Sequence, residues 1–323
     1  MRALMTAVVA LSLAGPALAG APKKVLCSTF PIYQITRSVA QGYAGVSVEL
    51  MLPAGLGCPH DYVLTPQDMK KISTADALVI NGLGMEEFLG APLRDANAKL
   101  VVIDTSKGIE GALGGDDDHH HHHDHGQKKE APKAEADHKE HGHHHDHDHG
   151  PNPHLFSSPR MAARLAMNAA AGLSKLDPEG AAAFFRNATA EAERLNKLAD
   201  EFEALGKRLK NKRIVTQHSV FDYLARDMGL EVVATVRGGH AGEEPSAAEV
   251  IEVIKTIREK KAGAVFLEPQ YPGRIGQTIA REAGVPAALL DPVASGPADA
   301  PLDYYETVMR RNLETLAKTL GVK

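Results

Sequence analysis

Histidine and carboxylate side chains crowd into one stretch of this 323-residue chain. Between Asp116 and Gly150 stand His119, His120, His121, His122, His123, His125, His138, His141, His143, His144, His145, His147 and His149. They are thirteen of the seventeen histidines, set among ten acids and four lysines. Neutral imidazoles with carboxylates between them are borderline ligands suited to zinc, copper or nickel. The tract has almost no apolar residue to offset the entropy of ordering, so it reads as a disordered loop with accessory metal sites. The plainer alternatives are a solvated acidic linker and a cloning tag, but a tag would be terminal and uninterrupted. Four histidines remain, His60, His154, His218 and His240, scattered through ordinary sequence. They are the candidates for a structured site.

The elements that would position them alternate strand and helix. Lys24–Phe30, Val46–Leu52, Ala77–Asn81 and Leu100–Asp104 read as strands, with a helix through Ile35 and Val39, another starting at Thr65-Pro66, and a helical turn at Glu86-Glu87-Phe88. After the histidine-rich tract, Pro178 to Lys210 keeps apolar residues at helical spacing, including Phe184, Phe185, Leu195, Leu198, Phe202 and Leu205. A single helix there would be about 45 Å long at 1.5 Å per residue, and two helices with a kink are the alternative. Alternation then resumes with strands Arg213–Thr216, Glu231–Val236, Gly263–Leu267 and Ala287–Leu290. Ser246 and Glu249 form a capping box before a helix to Lys260, further helices cover Ile275–Ala283 and Tyr304–Leu320, and no nucleotide-binding glycine fingerprint follows any strand.

This pattern predicts an α/β protein of two lobes, each a parallel sheet flanked by helices, joined by one long rigid helix. The division it suggests is a signal peptide at 1–19, a first lobe at 20–176 containing the loop 116–150, a linker helix at 177–210, and a second lobe at 211–323. His60, His154, His218 and Asp291 each fall just past a strand or at the entry to a new element, the edge where open parallel sheets bind ligands. A metal held by all four would lie between the lobes, in the tetrahedral nitrogen and oxygen set that zinc prefers. Each also has a plain structural reading. His60 could cap a helix, His218 could be a satisfied histidine at a helix start, and Asp291 before Pro292 could form a turn.

Arg2, the apolar run from Ala3 to Leu18, and Ala17-Leu18-Ala19 resemble a secretory leader, and no cysteine stands at the cleavage point. The expectation is an exported, periplasmic chain without a lipid anchor. In an oxidising compartment Cys27 and Cys58 are expected to form a disulfide; ligation by Cys58, two residues before His60, is the competing idea. The net charge of -5, much of it in the histidine-rich tract, gives no footprint for nucleic acid.

Several motifs together resemble the zinc and manganese solute-binding proteins of ABC importers, in particular their ZnuA-like group. They are Pro59-His60-Asp61-Tyr62, Asn152-Pro153-His154-Leu155-Phe156, Gln217-His218-Ser219-Val220-Phe221, Glu244-Pro245-Ser246, Phe266-Leu267-Glu268-Pro269-Gln270 and Leu290-Asp291-Pro292. The resemblance implies that His60, His154, His218 and Asp291 ligate the metal, and that histidine rather than glutamate at 218 accompanies zinc. It implies a monomer that captures Zn2+ between its lobes and hands it to a membrane permease driven by a cytoplasmic ATPase, with the histidine-rich loop as antenna or sensor. Three departures stand out: Pro59 stands where some members have an acidic residue that can ligate in place of the Asp291 equivalent, Asn152 and Phe156 occupy positions where the group usually has aspartate and tryptophan, and Cys58 beside the site is uncommon. Glu268 is expected to support a ligand rather than to ligate, and His240 to lie in a solvated glycine-rich loop. Because ligating histidines must be neutral, affinity is expected to fall below about pH 6.5. The rival readings are a zinc buffer or an adhesin of the same fold, and a zinc hydrolase with Glu268 as its only base.

Overall fold

The computed structural model describes residues 21–59, 62–90, 92–114, 150–236 and 245–323. The leader 1–19, His60, His240 and all of the tract from His119 to His149 lie outside the described residues.

The first lobe runs β1 (Lys23–Cys27), α1 (Phe30–Ala40), β2 (Val46–Leu50), α2 (Pro66–Thr74), β3 (Ala77–Ile80), α3 (Pro92–Ala96) and β4 (Val101–Asp104). Two long helices follow, α4 (Pro159–Leu176) and α5 (Ala181–Arg208). The second lobe runs β5 (Arg213–Thr216), α6 (Asp222–Met228), β6 (Glu231–Thr235), α7 (Ala247–Lys260), β7 (Ala264–Leu267), α8 (Arg274–Ala283), β8 (Ala287–Leu289) and α9 (Tyr304–Leu320). The sheets are parallel, ordered β2-β1-β3-β4 and β6-β5-β7-β8, so the two lobes repeat one topology.

Both faces of each sheet are covered, which is why central strands such as β7, Ala-Val-Phe-Leu, are apolar throughout rather than alternating. One continuous core takes in β1, α1, α4, α5, β5, α6 and α9 and so runs through both lobes. Separate clusters fill the outer faces, one under α2 and α3 and one under α7 and α8. Local chemistry sets the helix starts: Thr65 with Asp68, and Ser246 with Glu249, each form the reciprocal capping box. Helix α4 is an addition to the elements read from sequence. Its buried face combines Met161, Leu165 and Leu173 with alanines 162, 163, 166, 169 and 170.

Helix α5 is a single unbroken helix of 28 residues, about 42 Å long, preceded by a 3-10 turn at Pro178–Gly180. Its apolar face carries Phe184, Leu195, Leu198 and Phe202, whereas Phe185 turns outward and is 42% exposed. The N-terminal half grips the first lobe. The Phe184 ring meets Tyr43 edge-on at 5.1 Å, and Asn187 Nδ2 donates to the carbonyls of Val39 and Gln41 at 3.0 and 2.8 Å. The C-terminal half passes against α6 so closely that a Cβ at Gly206 would lie 2.0 Å from the Met228 carbonyl oxygen. Backbone cannot yield as a flexible side chain can. Gly206→Ala should therefore lose more to overpacking than the roughly 1 kcal/mol that alanine gains over glycine in a helix, and thermal unfolding should show a midpoint lowered by about 2–5 °C.

The lobes also touch directly. Arg37 Nη1 donates to the Ala300 carbonyl at 2.8 Å, Tyr305 Oη to the Phe156 carbonyl at 2.7 Å, and the Gly296 amide to the Ala54 carbonyl at 3.0 Å. Among the described residues no helix is long and apolar enough to cross a membrane.

Candidate metal centre

Three adjacent strands of the second sheet, β5, β7 and β8, are followed within two residues by His218, Glu268 and Asp291. His154 comes from the other side, at the entry of a 3-10 turn (Leu155–Ser157) leading into α4. The His154 and His218 rings stand 5.0 Å apart at 77°, facing each other across the seam between the lobes.

Glu268 fixes the His218 ring. Its Oε1 lies 2.7 Å from His218 Nδ1, and its Oε2 accepts from Gln270 Nε2 at 2.6 Å, so both carboxylate oxygens are engaged. The opposite ring nitrogen, Nε2, is buried and has no hydrogen-bond partner among the described residues. A buried polar atom left so costs about 1–3 kcal/mol, and once the ring gives up its proton a cation is the group that would take the lone pair there. Burial works against the imidazolium, but the Glu268 carboxylate and the neighbouring Cys58 override it, and the His218 pKa is pushed up to about 10.

Asn152 fixes the other ring. Its Nδ2 donates to the Ser219 carbonyl at 2.9 Å and to Asp222 Oδ2 at 3.0 Å, which leaves Oδ1 to face His154. That oxygen accepts from the His154 amide at 3.0 Å and stands 2.9 Å from its Nδ1. Only an acceptor sits there, so Nδ1 must carry the proton and Nε2 the lone pair. The departure from aspartate at 152 thus has a local reason: a carboxylate would face a carbonyl and Asp222, both acceptors. Asn152→Leu should lower zinc affinity about 10- to 100-fold in a chelator competition, the usual cost of removing the group that orients a ligating histidine. Asn152→Asp should keep the orienting oxygen but lower the unfolding midpoint.

The second loop of the first lobe completes the cluster. Gly57, at φ +82°, lies so close to Gln270 that a Cβ would meet its Cγ at 2.9 Å, and the next residue is Cys58. Cys58, His154 and His218 each offer a ligand atom, all within 4.8 Å of one another. The expected Cys27–Cys58 disulfide is therefore corrected: both thiols are free. Cys27 lies at the end of β1 inside the shared core, its pKa pushed up to about 12 by burial, while Cys58 sits in the seam against His218. Asp291 is not part of this cluster. Its carboxylate accepts from the Val293 amide at 2.8 Å, and burial together with the charge of Glu268 raises its pKa. The sequence singled out His154, His218, Asp291 and Glu268 but gave no role to Gln270 or Tyr223. Tyr223 Oη donates to the Asn152 carbonyl at 2.7 Å and accepts from the Leu113 amide at 3.1 Å, bracing the segment that carries His154.

Two parallel-sheet lobes, a long connecting helix and two oriented histidines meeting at the seam between the lobes fit a two-lobed solute-binding protein. Residues 25–319 match the family ZnuA, described as zinc-uptake complex component A, periplasmic, and the chain belongs to that family. It is 34% identical over 315 residues to the zinc-binding protein AdcA of Streptococcus pyogenes serotype M6, which covers 97% of this chain and 59% of that protein. It is 30% identical to the zinc-binding lipoprotein AdcA of Streptococcus pneumoniae, over 91% of this chain and 55% of that one. The chain thus spans little more than half the length of these relatives. Among solved structures, a zinc-bound ZnuA deletion mutant superposes with a TM-score of 0.72 at 25% identity, covering 94% of this chain and 99% of that one.

Proposed function

We propose that this chain is the receptor of a zinc importer: it captures Zn2+ in the cleft between its lobes and delivers it to an ABC permease driven by a cytoplasmic ATPase. The observation that carries the reading is His218, clamped through Nδ1 by Glu268, with its buried Nε2 lacking a hydrogen-bond partner among the described residues and its ring 5.0 Å from that of a second oriented histidine. In this reading zinc is cargo, and its ligands are His60, His154, His218 and Asp291. Residues 20–176 and 211–323 act as the two lobes, with 177–210 as a stiff spacer. The names of the curated relatives support zinc as the metal.

The histidine-rich tract is proposed as a weaker accessory store that raises zinc concentration near the cleft. Its flanks support this, because the Asn152 amide donates to the Leu113 carbonyl at 2.9 Å, bringing both ends of the tract together two residues from His154. The chain acts as an exported, periplasmic protein. Family membership is compatible with a free or a lipid-anchored form, since the pneumococcal relative is named a lipoprotein. The hydrolase reading is disfavoured by Glu268, whose two oxygens are committed to His218 and Gln270 and are not available as a base.

In cells lacking this gene, wild-type protein should restore growth in chelator-limited medium and zinc should relieve the defect without it. The double variant His154→Ala, His218→Ala, expressed to the same level, should fail to restore growth. Rescue by the double variant would overturn the proposal.

A further inference from the structure

We propose that Cys58 is a metal ligand, so that the cleft binds its ion through sulfur as well as imidazole nitrogen. This inference rests on the reading of the cleft as a zinc site and changes its ligand set: Cys58, which lies in the cluster, takes the position that reading gives to Asp291, which lies outside it.

Three placements carry it. Cys58, His154 and His218 come from three separate stretches of chain, yet their ligand atoms converge to within 4.8 Å of one another. A single tetrahedral ion bonded to sulfur at about 2.3 Å and to nitrogen at about 2.0–2.1 Å sets its donors roughly 3.3–3.6 Å apart, so the three side chains need draw in by only about an ångström to share one. The loop bearing Cys58 is held against the second lobe, by the Gly296 amide on the Ala54 carbonyl at 3.0 Å and by the bare Cα of Gly57 against Gln270. Gln270 in turn donates to Glu268, which holds His218, so the thiol and the imidazole are fixed within one connected network. Finally, the two histidines are already oriented by their own acceptors, Asn152 and Glu268, and the buried Nε2 of His218 has no hydrogen-bond partner among the described residues.

Binding then breaks the Cys58 S–H bond heterolytically. The electron pair left on sulfur forms the bond to the metal, and the proton leaves to solvent. No electron is exchanged and no oxidant is needed. A thiolate donor biases the site toward borderline and soft ions such as zinc, cobalt(II) and copper(I), and away from manganese and magnesium.

The test uses the full chain, kept reduced, as wild type, Cys27→Ser and Cys58→Ser. Cobalt(II) serves as the spectroscopic probe, and zinc is followed by X-ray absorption. Wild type and Cys27→Ser should both show a thiolate-to-cobalt charge-transfer band in the near ultraviolet, saturating at one equivalent. Their zinc forms should show a sulfur shell at about 2.3 Å. Both signals should vanish in Cys58→Ser, which should still bind one zinc but at least about tenfold more weakly. Tight zinc in wild type without a sulfur signal, or a sulfur signal surviving in Cys58→Ser, would overturn the thiolate ligand alone. Absence of any tight zinc in wild type would overturn this inference together with the zinc-receptor reading.

Discussion

Replacing His218 with alanine is expected to weaken zinc binding by at least about a thousandfold, or about 4 kcal/mol at 1.4 kcal/mol per decade. The substitution removes a nitrogen that the fold has already oriented, and it also strands its support. Glu268 is 1% exposed and would keep only Gln270 as a partner, so a carboxylate would stay buried without its cationic or metal-bearing neighbour. Glu268→Gln separates the two losses. It keeps the shape and the ligand but replaces the carboxylate behind the ring, and should cost about 10- to 100-fold. Equilibrium competition against a chelator measures both. If His218→Ala lost tenfold or less, His218 would not be a ligand.

Acidification should also weaken binding, and at a higher pH than an ordinary histidine predicts. In the metal-free protein Glu268 holds His218 in its protonated form up to about pH 10, although burial opposes it. Zinc needs the neutral ring, so the free protein carries one more proton at this residue than the loaded one. Affinity therefore falls as pH falls, by up to about tenfold per unit anywhere below the raised pKa, and levels off only above it. From about pH 8 to about pH 6 the loss from His218 alone should approach 100-fold. The sequence expectation, with the loss beginning below about 6.5, is thereby moved upward. Calorimetry in buffers of different ionisation enthalpy should find about one proton or more released per zinc near neutral pH; affinity flat between 6.5 and 8 would contradict the His218–Glu268 pairing.

How much of this could be read in the sequence depended on whether the signal was local. Ile214-Val215 is a β-branched apolar pair between Arg213 and Thr216, and the strand has those bounds. The Ser246–Glu249 capping box lies in consecutive residues and was legible for the same reason. Helix α4 was legible on the same ground, though not among the elements read from sequence: Met161, Leu165, Ala169 and Leu173 keep helical spacing behind the Ser158-Pro159 start. At the site, His154, His218 and Asp291 could be singled out from their places past strand ends. Glu268 could be marked as a supporting acid, but nothing local shows that it holds His218 across 50 positions, nor that Asn152 is braced by Asp222 across 70. Cys58 shows the limit most sharply. Two cysteines in an exported chain suggest a bridge, but nothing in their spacing reveals that one is sealed in the shared core while the other faces the second lobe.

The central claim is that the oriented cleft, and not the histidine-rich tract, holds the tightly bound ion. The most direct test is zinc stoichiometry and affinity, by chelator competition, on the chain with residues 116–150 removed, beside the same deletion carrying His218→Ala. The Leu113–Asn152 backbone bond brings the flanks together, so a short glycine-serine turn can close the gap. One tight zinc kept by the deletion and lost by the substituted form is the predicted result. Loss of all tight zinc on deleting the tract, with the fold intact, would contradict the account and make the tract the metal-binding element.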